Sequence, residues 1–230
     1  MVHEIDIHGN KFTLRPNTRR KQISVGIDNI NGELYIAYPA SMTENGLARF
    51  LDKDIDSLLN KIRAKAPSIQ KHIYAEGETF FFRGREYPLK HADIQPCKLN
   101  FDGHTFSILR SSLADAYTVF ERWYSRALYY ELKSLLPEWT KRISVRPVKV
   151  TVKTVSSLWG SCSSGGSLTF CTRLALVPPP LLEYVVVHEL CHMKSMTHSK
   201  SFWDEVAKYV PDHRQRRDAF KKDGLIYRWW

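Results

Sequence analysis

Two histidines four residues apart, with a glutamate directly after the first, are the residues of this 230-residue sequence best suited to chemistry. On an α-helix, residues four apart share one face, so His188 and His192 can direct their imidazoles at one metal ion. Glu189 is rotated by about 100° from His188, which leaves it off that face but within reach of a water molecule on the ion. The spacing predicts two metal ligands and a carboxylate that takes a proton from the water.

A third histidine follows six residues after His192. Zinc in a catalytic site keeps three protein ligands and one open position. Residues 193–197 are long enough for the chain to leave the helix and return His198 to the metal. The sequence therefore predicts a zinc site formed by His188, His192 and His198. Other residues whose types suit the third position are Asp204, Glu205 and Cys162.

The helix that must carry this motif has mixed local signals. The β-branched residues at 185–187 favour a strand by themselves. The three prolines at 178–180 can lead into the first turn of a helix. Apolar residues on nearly all sides of the segment predict a helix that is buried, which suits a fixed metal site. Either Ser199 or Ser201 could cap the helix that follows.

Hydrophobic periodicity gives a coarse prediction for the remaining chain. The first forty residues alternate as β-strands do, with a turn signal at Asn31-Gly32. A boundary near residue 110 would separate a β-rich region with one helix, residues 1–110, from a region holding the whole motif, residues 111–230. The predicted fold class is α+β. The later predicted elements are helices at 43–66, 113–136, 201–210 and 213–223, hairpins at 79–89 and 98–109, and strands at 148–155 and 167–177.

Composition narrows the class of protein. Apolar residues make up 43% of the chain and aromatic residues 12%, which supports a real core. We expect no membrane partner, because no apolar run approaches the roughly 20 residues that a span requires. The N-terminus lacks a signal pattern, and the four cysteines contain no C-x-x-C pair. The expected compartment is the cytoplasm.

The formal net charge of +10 fits either general solubility or attraction to an anionic partner. Such a partner could be a nucleic acid, a nucleotide or an acidic peptide. No recognised nucleic-acid-binding module accompanies the charge. The charge therefore does not decide between these two interpretations.

Segments around the motif resemble the YgjP-like metallopeptidase family, which is related to the SprT-like proteases. They are Trp159-Gly160-Ser161-Cys162, the stretch at 173–179, the histidine motif, and His198-Ser199-Lys200-Ser201-Phe202-Trp203, with a basic stretch at 19–24. The resemblance implies a zincin-like catalytic half behind a smaller N-terminal β-rich part. It also implies zinc held by the three histidines, with Glu189 as the general base.

Peptidases with this helix motif border their cleft with a strand that pairs with an extended substrate. Residues 167–177 are the candidate for that edge strand, although a plain internal strand fits them equally. Candidate groups to contact the substrate or its oxyanion are Arg173, Tyr184 and Tyr209. Carboxylates should orient the histidines. The candidates for this role are Asp204, Glu205 and Asp212.

Three functions remain open on the sequence. The first is a zinc-dependent peptidase. The second is a nucleotide pyrophosphatase acting through the same metal, because members of the resembled family have been linked to hydrolysis of UTP. The third is a basic binding module with structural zinc, in which Cys162 would supply a fourth ligand. Candidate phosphate contacts for the second function are Arg15, Arg19, Arg20, Lys21, Arg173, Arg214, Arg216 and Arg217; for the last three, a solvated surface position is the favoured interpretation.

Overall fold

The computed structural model describes residues 3–7, 9–28, 33–65, 72–155, 158–224 and 226–229. The chain divides into two compact units, Met1–Lys71 and His72–Trp230, and each is described by itself. The predicted boundary near residue 110 falls inside the second unit. The physical reason is that apolar side chains before residue 110 are buried in the same core as the later helices. These side chains include Phe80, Leu89, Phe106 and Ile108.

The first unit is a small sheet followed by a helix. The strands have the order β1-β2-β4-β3, in which β2 and β4 run parallel and the other neighbours antiparallel. The predicted β character of this region is confirmed, whereas the Asn31-Gly32 turn and residue 66 lie outside the described residues. The elements are β1 His3–Ile7, β2 Asn10–Asn17, β3 Ser24–Ile27, β4 Leu34–Pro39 and α1 Glu44–Lys65. The core side chains are Phe12, Ile36, Leu47, Leu51 and Ile55.

The second unit begins with two hairpins, as the sequence predicts. Their strands join in the order β5-β6-β8-β7, with β6 and β8 parallel. In the first hairpin turn, Gly84 has φ +77°, and an added Cβ would lie 2.5 Å from Cγ of Pro178. Only glycine lets this turn pack against Pro178, which directly precedes the helix that carries His188 and His192. The strands are β5 Thr79–Phe82, β6 Arg85–Ala92, β7 Leu99–Phe101 and β8 Phe106–Leu109.

A long helix, α2 Ala116–Ile143, forms the centre of this unit and follows the 3-10 turn Arg110–Asp115. It continues past the predicted end at residue 136, because Pro137 lies within the helix without ending it. Ser144 ends it in the left-handed conformation, with φ 60°. The residues of α2 that face the core are large and apolar. They include Phe120, Tyr124, Leu128 and Leu132.

A second sheet in this unit has three strands, β9 Lys149–Lys153, β10 Gly160–Cys162 and β11 Ser167–Cys171. Their order is β10-β11-β9, so β11 is the central strand. The prediction of an edge strand at residues 167–177 is therefore wrong. The strand pairs on both sides and then turns into the 3-10 helix Thr172–Ala175. The edge strands are β9 and β10, and the glycine- and serine-rich sequence around β10 gave no sign of a strand there.

Three helices complete the unit and carry the motif: α3 Pro179–His192, α4 Lys200–Tyr209 and α5 His213–Asp223. The α+β fold class is confirmed. Ser199 is the N-cap of α4, and its side chain accepts a hydrogen bond from the Phe202 amide. In the part of the chain that the structure describes, no helix is long and apolar enough to cross a membrane.

Candidate metal centre

The helix α3 places three residues of the motif. The β-branched run at 185–187 does not prevent the helix, because packing on all sides outweighs intrinsic propensity. Val186, Val187 and Leu190 are fully buried in the main core. Pro179 at the first helical position starts the helix with its backbone angle already set. The result is a helix packed into the core, in which Glu189 and His192 are buried and His188 is partly buried.

A tight turn after α3 returns the third histidine to the first two. The Ser195 amide donates to the Cys191 carbonyl, and the chain then enters α4 through Ser199. Phe202, in the first turn of α4, contacts all three imidazoles and meets His188 edge-on at 5.0 Å. Its ring stacks on His192, with centroids 4.4 Å apart, and meets His198 edge-on at 5.0 Å. The Phe202 ring therefore packs against all three imidazoles and helps to fix their relative orientation.

The three histidines converge on one point through their Nε2 atoms. The separations are 3.2 Å from His192 to His188, 3.2 Å from His192 to His198, and 3.1 Å from His198 to His188. Tetrahedral zinc with Zn–N distances of about 2.0–2.1 Å requires nitrogen–nitrogen separations of about 3.3–3.4 Å. The triangle is therefore the size that such an ion needs. Among the described residues, this metal-ligating group contains the three histidines and no alternative ligand.

The electrostatics of the His188 and His192 rings favour the neutral form, which is the form that binds metal. Burial, together with the neighbouring His192 and His198, lowers the pKa of His188 to about 3. Burial also lowers the pKa of His192. Imidazole nitrogens whose lone pairs are directed at one point repel one another. A bound cation removes that repulsion.

One histidine is oriented by the backbone. His192 Nδ1 lies 3.0 Å from the carbonyl oxygen of Ser195, which can only accept, so Nδ1 carries the proton and Nε2 is left for a metal. The predicted orienting carboxylates are engaged elsewhere or exposed. Glu205 pairs with two lysines, and Asp212 pairs with Arg216. Asp204 is exposed on α4.

Glu189 is buried beside the histidines, with 5% of its surface exposed. Burial raises its pKa to about 8. Its carboxylate lies against Gly160 of β10, where an added Cβ would be 2.7 Å from Oε1. The glycine therefore leaves the space that the carboxylate occupies.

Next to Glu189, β10 has an open edge. The Trp159 carbonyl accepts from the Cys171 amide, and the Ser163 amide donates to the Ser167 carbonyl, so these two residues face β11. By the alternation of an antiparallel pair, the backbone groups of Gly160 and Cys162 point the other way. Within the described residues, β10 pairs with β11 alone. Two donors and two acceptors are thus directed away from the sheet beside the buried carboxylate.

The predicted substrate residues lie at different depths. Tyr184 lies one turn before His188, with ring centroids 5.7 Å apart, and burial raises its pKa to about 12. Arg173 is only 3% exposed, and its guanidinium lies 4.2 Å from the centroid of the Trp159 ring. The Tyr209 hydroxyl donates to Glu205. Of these, Tyr184 directly adjoins a histidine of the centre.

The structure adds Trp203, to which the sequence assigned no role, and gives Arg217 a position other than the solvated surface position that the sequence favoured. Trp203 stacks on His198, with centroids 5.5 Å apart, and its ring lies 5.6 Å from that of His188. The guanidinium carbon of Arg217 lies over the Trp203 ring, 5.1 Å from its centroid. The sequence signal was the spacing of four from the buried His213, which places Arg217 on the inner side of α5.

Comparison with known proteins identifies the family. No match was found among curated proteins. Similar solved structures include the crystal structure of the metallopeptidase zymogen of Pyrococcus abyssi abylysin. It is 25% identical, covers 38% of this chain and 89% of that chain, and has a TM-score of 0.36. The family profile described as YgjP-like, metallopeptidase domain, matches residues 21–223. The chain therefore belongs to the YgjP-like metallopeptidase family.

Proposed function

We propose that this protein is a zinc-dependent peptidase in which His188, His192 and His198 hold the ion and Glu189 is the general base. The observation that carries the proposal is the meeting of three Nε2 atoms within 3.2 Å, two of them on the helix that also carries the buried Glu189. Membership of a metallopeptidase family supports a hydrolase and implies a metal ion. The three-histidine group is compatible with zinc, since imidazole nitrogens and an incomplete coordination shell suit that ion.

Zinc bound there would lower the pKa of its water and polarise the peptide carbonyl. The protein's own contribution is the proton transfer. One oxygen of Glu189 accepts the proton of the attacking water, and the same carboxyl group then donates it to the leaving amine. Burial holds the pKa of Glu189 at about 8, and a cation beside it opposes this shift. The carboxyl group is thus poised near neutral pH, where it can both take and return a proton.

The substrate-binding surface in this proposal is the open edge of β10. An extended peptide would add to the sheet as a further strand, pairing with the backbone groups of Gly160 and Cys162. This edge adjoins Glu189, so a paired peptide would present a carbonyl to the catalytic carboxylate. The proposal therefore transfers the role expected for residues 167–177 to residues 160–162.

Two further residues have assigned roles. Tyr184 keeps its proton at neutral pH, because its pKa is about 12, and its hydroxyl is the candidate donor to the oxyanion. Arg173 is too deeply buried for a substrate to reach directly. It acts as a positioning residue through its stacking on Trp159, which leads directly into β10.

A nucleotide pyrophosphatase remains the second candidate, and the observation that favours it is the cationic Arg217 beside Trp203. The same water, giving up its proton to the same carboxylate, would then attack a phosphoryl group. A purely structural zinc site is less well supported. Such sites are usually closed by four protein ligands, and Cys162 does not join the histidine group among the described residues.

A paired screen separates these candidates. The zinc-loaded protein is given a peptide library and, separately, a set of nucleoside triphosphates, each with and without a chelator. We expect chelator-sensitive cleavage of peptides, detected by mass spectrometry, that is lost in Glu189→Gln. Chelator-sensitive release of pyrophosphate without any peptide cleavage would replace the proposal with the second candidate.

A further inference from the structure

Arg217 of α5 lies beside the aromatic ring of Trp203, which packs against the histidine group. Its guanidinium carbon is 5.1 Å from the Trp203 ring centroid, and that ring adjoins both His198 and His188. One aromatic ring thus separates the guanidinium from two of the three histidines. On the same side of the centre, Tyr184 lies 5.7 Å from His188.

The neighbouring Arg216 has a structural role on this helix, and its contacts differ from those of Arg217. Arg216 donates to Asp212, to Glu183 and to the Pro180 carbonyl, so its hydrogen bonds are used in joining α5 to α3. Arg217 makes no such set of bonds. Its Nε is buried and has no hydrogen-bond partner within the described residues. The nearest carboxylate oxygen paired with it, on the exposed Asp218, is 4.0 Å away.

The charge of Arg217 extends to the site itself. Burial, the larger cause at both residues, raises the pKa of Tyr184 and lowers that of His188. The charge of Arg217 opposes burial at Tyr184 and adds to it at His188. The side chain is also partly open, with 41% of its surface exposed, so an incoming group can reach it. An unsatisfied guanidinium at the rim of a hydrolytic site is suited to a planar anion, which it can bind with two parallel hydrogen bonds.

We propose that Arg217 binds a carboxylate of the peptide substrate close to the scissile bond, which makes this protein selective for acidic peptides. The inference rests on the proposed peptidase function and adds its substrate class. The carboxylate has two possible sources, namely the side chain of an aspartate or glutamate and the C-terminus of the peptide. A charge-assisted bond of this kind changes the preference for a ligand by roughly 10- to 100-fold.

The test uses peptides that contain Glu or Gln at the positions flanking the cleaved bond, each with a free or an amidated C-terminus. The full-length, zinc-loaded protein should favour the acidic peptide by about 10- to 100-fold in kcat/KM, mostly through KM. In Arg217→Met, which keeps the aliphatic stem on Trp203, this preference should disappear. Arg214→Met is the matched control, because Arg214 is exposed on the same helix, and it should retain the preference.

Calorimetry of the same peptides with zinc-free protein gives a readout that does not depend on turnover. The wild type should bind the peptide that carries the carboxylate more tightly than the matched peptide in which that carboxylate is replaced by an amide. Arg217→Met should bind the two peptides equally, and Arg217→Lys should retain part of the difference. Loss of preference only on amidation identifies the C-terminus as the source, and loss only on changing Glu to Gln identifies the side chain.

Equal binding and equal cleavage of acidic and neutral peptides by the wild type would overturn the inference and leave the peptidase proposal standing. Absence of any peptide cleavage would defeat the peptidase proposal, and the calorimetry would still report on Arg217. A loss confined to nucleotide hydrolysis in Arg217→Met would assign the residue to phosphate and overturn the carboxylate assignment.

Discussion

Gly160 of β10 and Glu189 of α3 are in such close contact that no side chain fits between them. A Cβ at residue 160 would lie 2.7 Å from Glu189 Oε1 and 2.8 Å from its Cγ. The edge of the sheet and the general base of the proposed mechanism are therefore positioned by one contact. A peptide paired with β10 would be held at a fixed distance from the carboxylate.

Changing Gly160 to alanine should displace the Glu189 carboxylate while leaving the fold intact. Because misplacement of a reacting group by about 1 Å can cost roughly 100-fold in rate, we expect kcat to fall by about that factor. Steady-state hydrolysis of a peptide substrate measures the loss. Gly165→Ala is the control, since an added Cβ there meets only Ser163 Oγ at 3.9 Å. Equal activity of both variants would show that the contact does not matter.

Glu189→Gln should stabilise the metal-stripped protein at alkaline pH. The pKa is about 8 in the fold and near 4.5 when the chain unfolds, so ionisation opposes folding as pH rises between these values. The variant should match the wild type below pH 4.5 and exceed it above pH 8. The gain should be of the order of a few kcal/mol, since one pKa unit corresponds to about 1.4 kcal/mol. Urea unfolding across this pH range measures it.

The pH dependence of the stability difference between Glu189→Gln and the wild type decides whether burial shifts the Glu189 pKa. A constant stability difference between the two proteins at all pH values would mean that the Glu189 carboxyl is not shifted by burial. Adding zinc to the wild type should reduce the alkaline penalty, because a cation beside the carboxylate favours its charged form.

Glu205→Gln should weaken the protein at neutral pH and have little effect in acid. Hydrogen bonds from Lys194 and Lys208 lower the pKa of Glu205 to about 2. A carboxylate with a lowered pKa stabilises the fold above the unfolded value near 4.5 and loses that contribution as pH falls toward 2. Denaturant unfolding at several pH values measures the effect. Asp204→Asn, an exposed change on the same helix, should be nearly neutral, and an equal loss in both variants would contradict the account.

Ser199→Ala should lower the free energy of unfolding by about 1 kcal/mol, because the Phe202 amide loses its acceptor at the start of α4. Since His198 directly precedes this cap, zinc affinity should also fall, by less than in His198→Ala. Thermal unfolding and competitive zinc titration measure the two effects. Ser201→Ala is the control. A larger loss of stability in Ser201→Ala than in Ser199→Ala would show that Ser199 is not the cap.

The sequence was sufficient to predict most of the local structure that depends on periodicity and spacing. Helical geometry places His188 and His192 on one face, and the short segment 193–197 brings His198 back to them. The structure brings the Nε2 atoms of all three together. Helices α1 and α5 and both hairpins follow from apolar periodicity and turn residues. The buried α3 was predicted from its apolar surroundings in spite of its valines.

The failures concern pairing between distant segments. Whether β11 lies at an edge depends on β9 and β10, and the three residues of β10 are too short and too rich in small side chains to signal a strand. The orientation of His192 by a backbone carbonyl leaves no trace in residue types. The inward position of Arg217 required knowing which side of α5 is packed.

The most direct test of the central claim measures bound zinc and peptide cleavage in the same samples of wild type, His198→Ala and His104→Ala. His104 lies exposed in a distant hairpin turn and serves as the control. We predict one zinc ion per chain and peptide cleavage in the wild type and in His104→Ala, with both lost together in His198→Ala. Cleavage by His198→Ala without bound metal, or a fully loaded wild type that cleaves no peptide, would contradict the account.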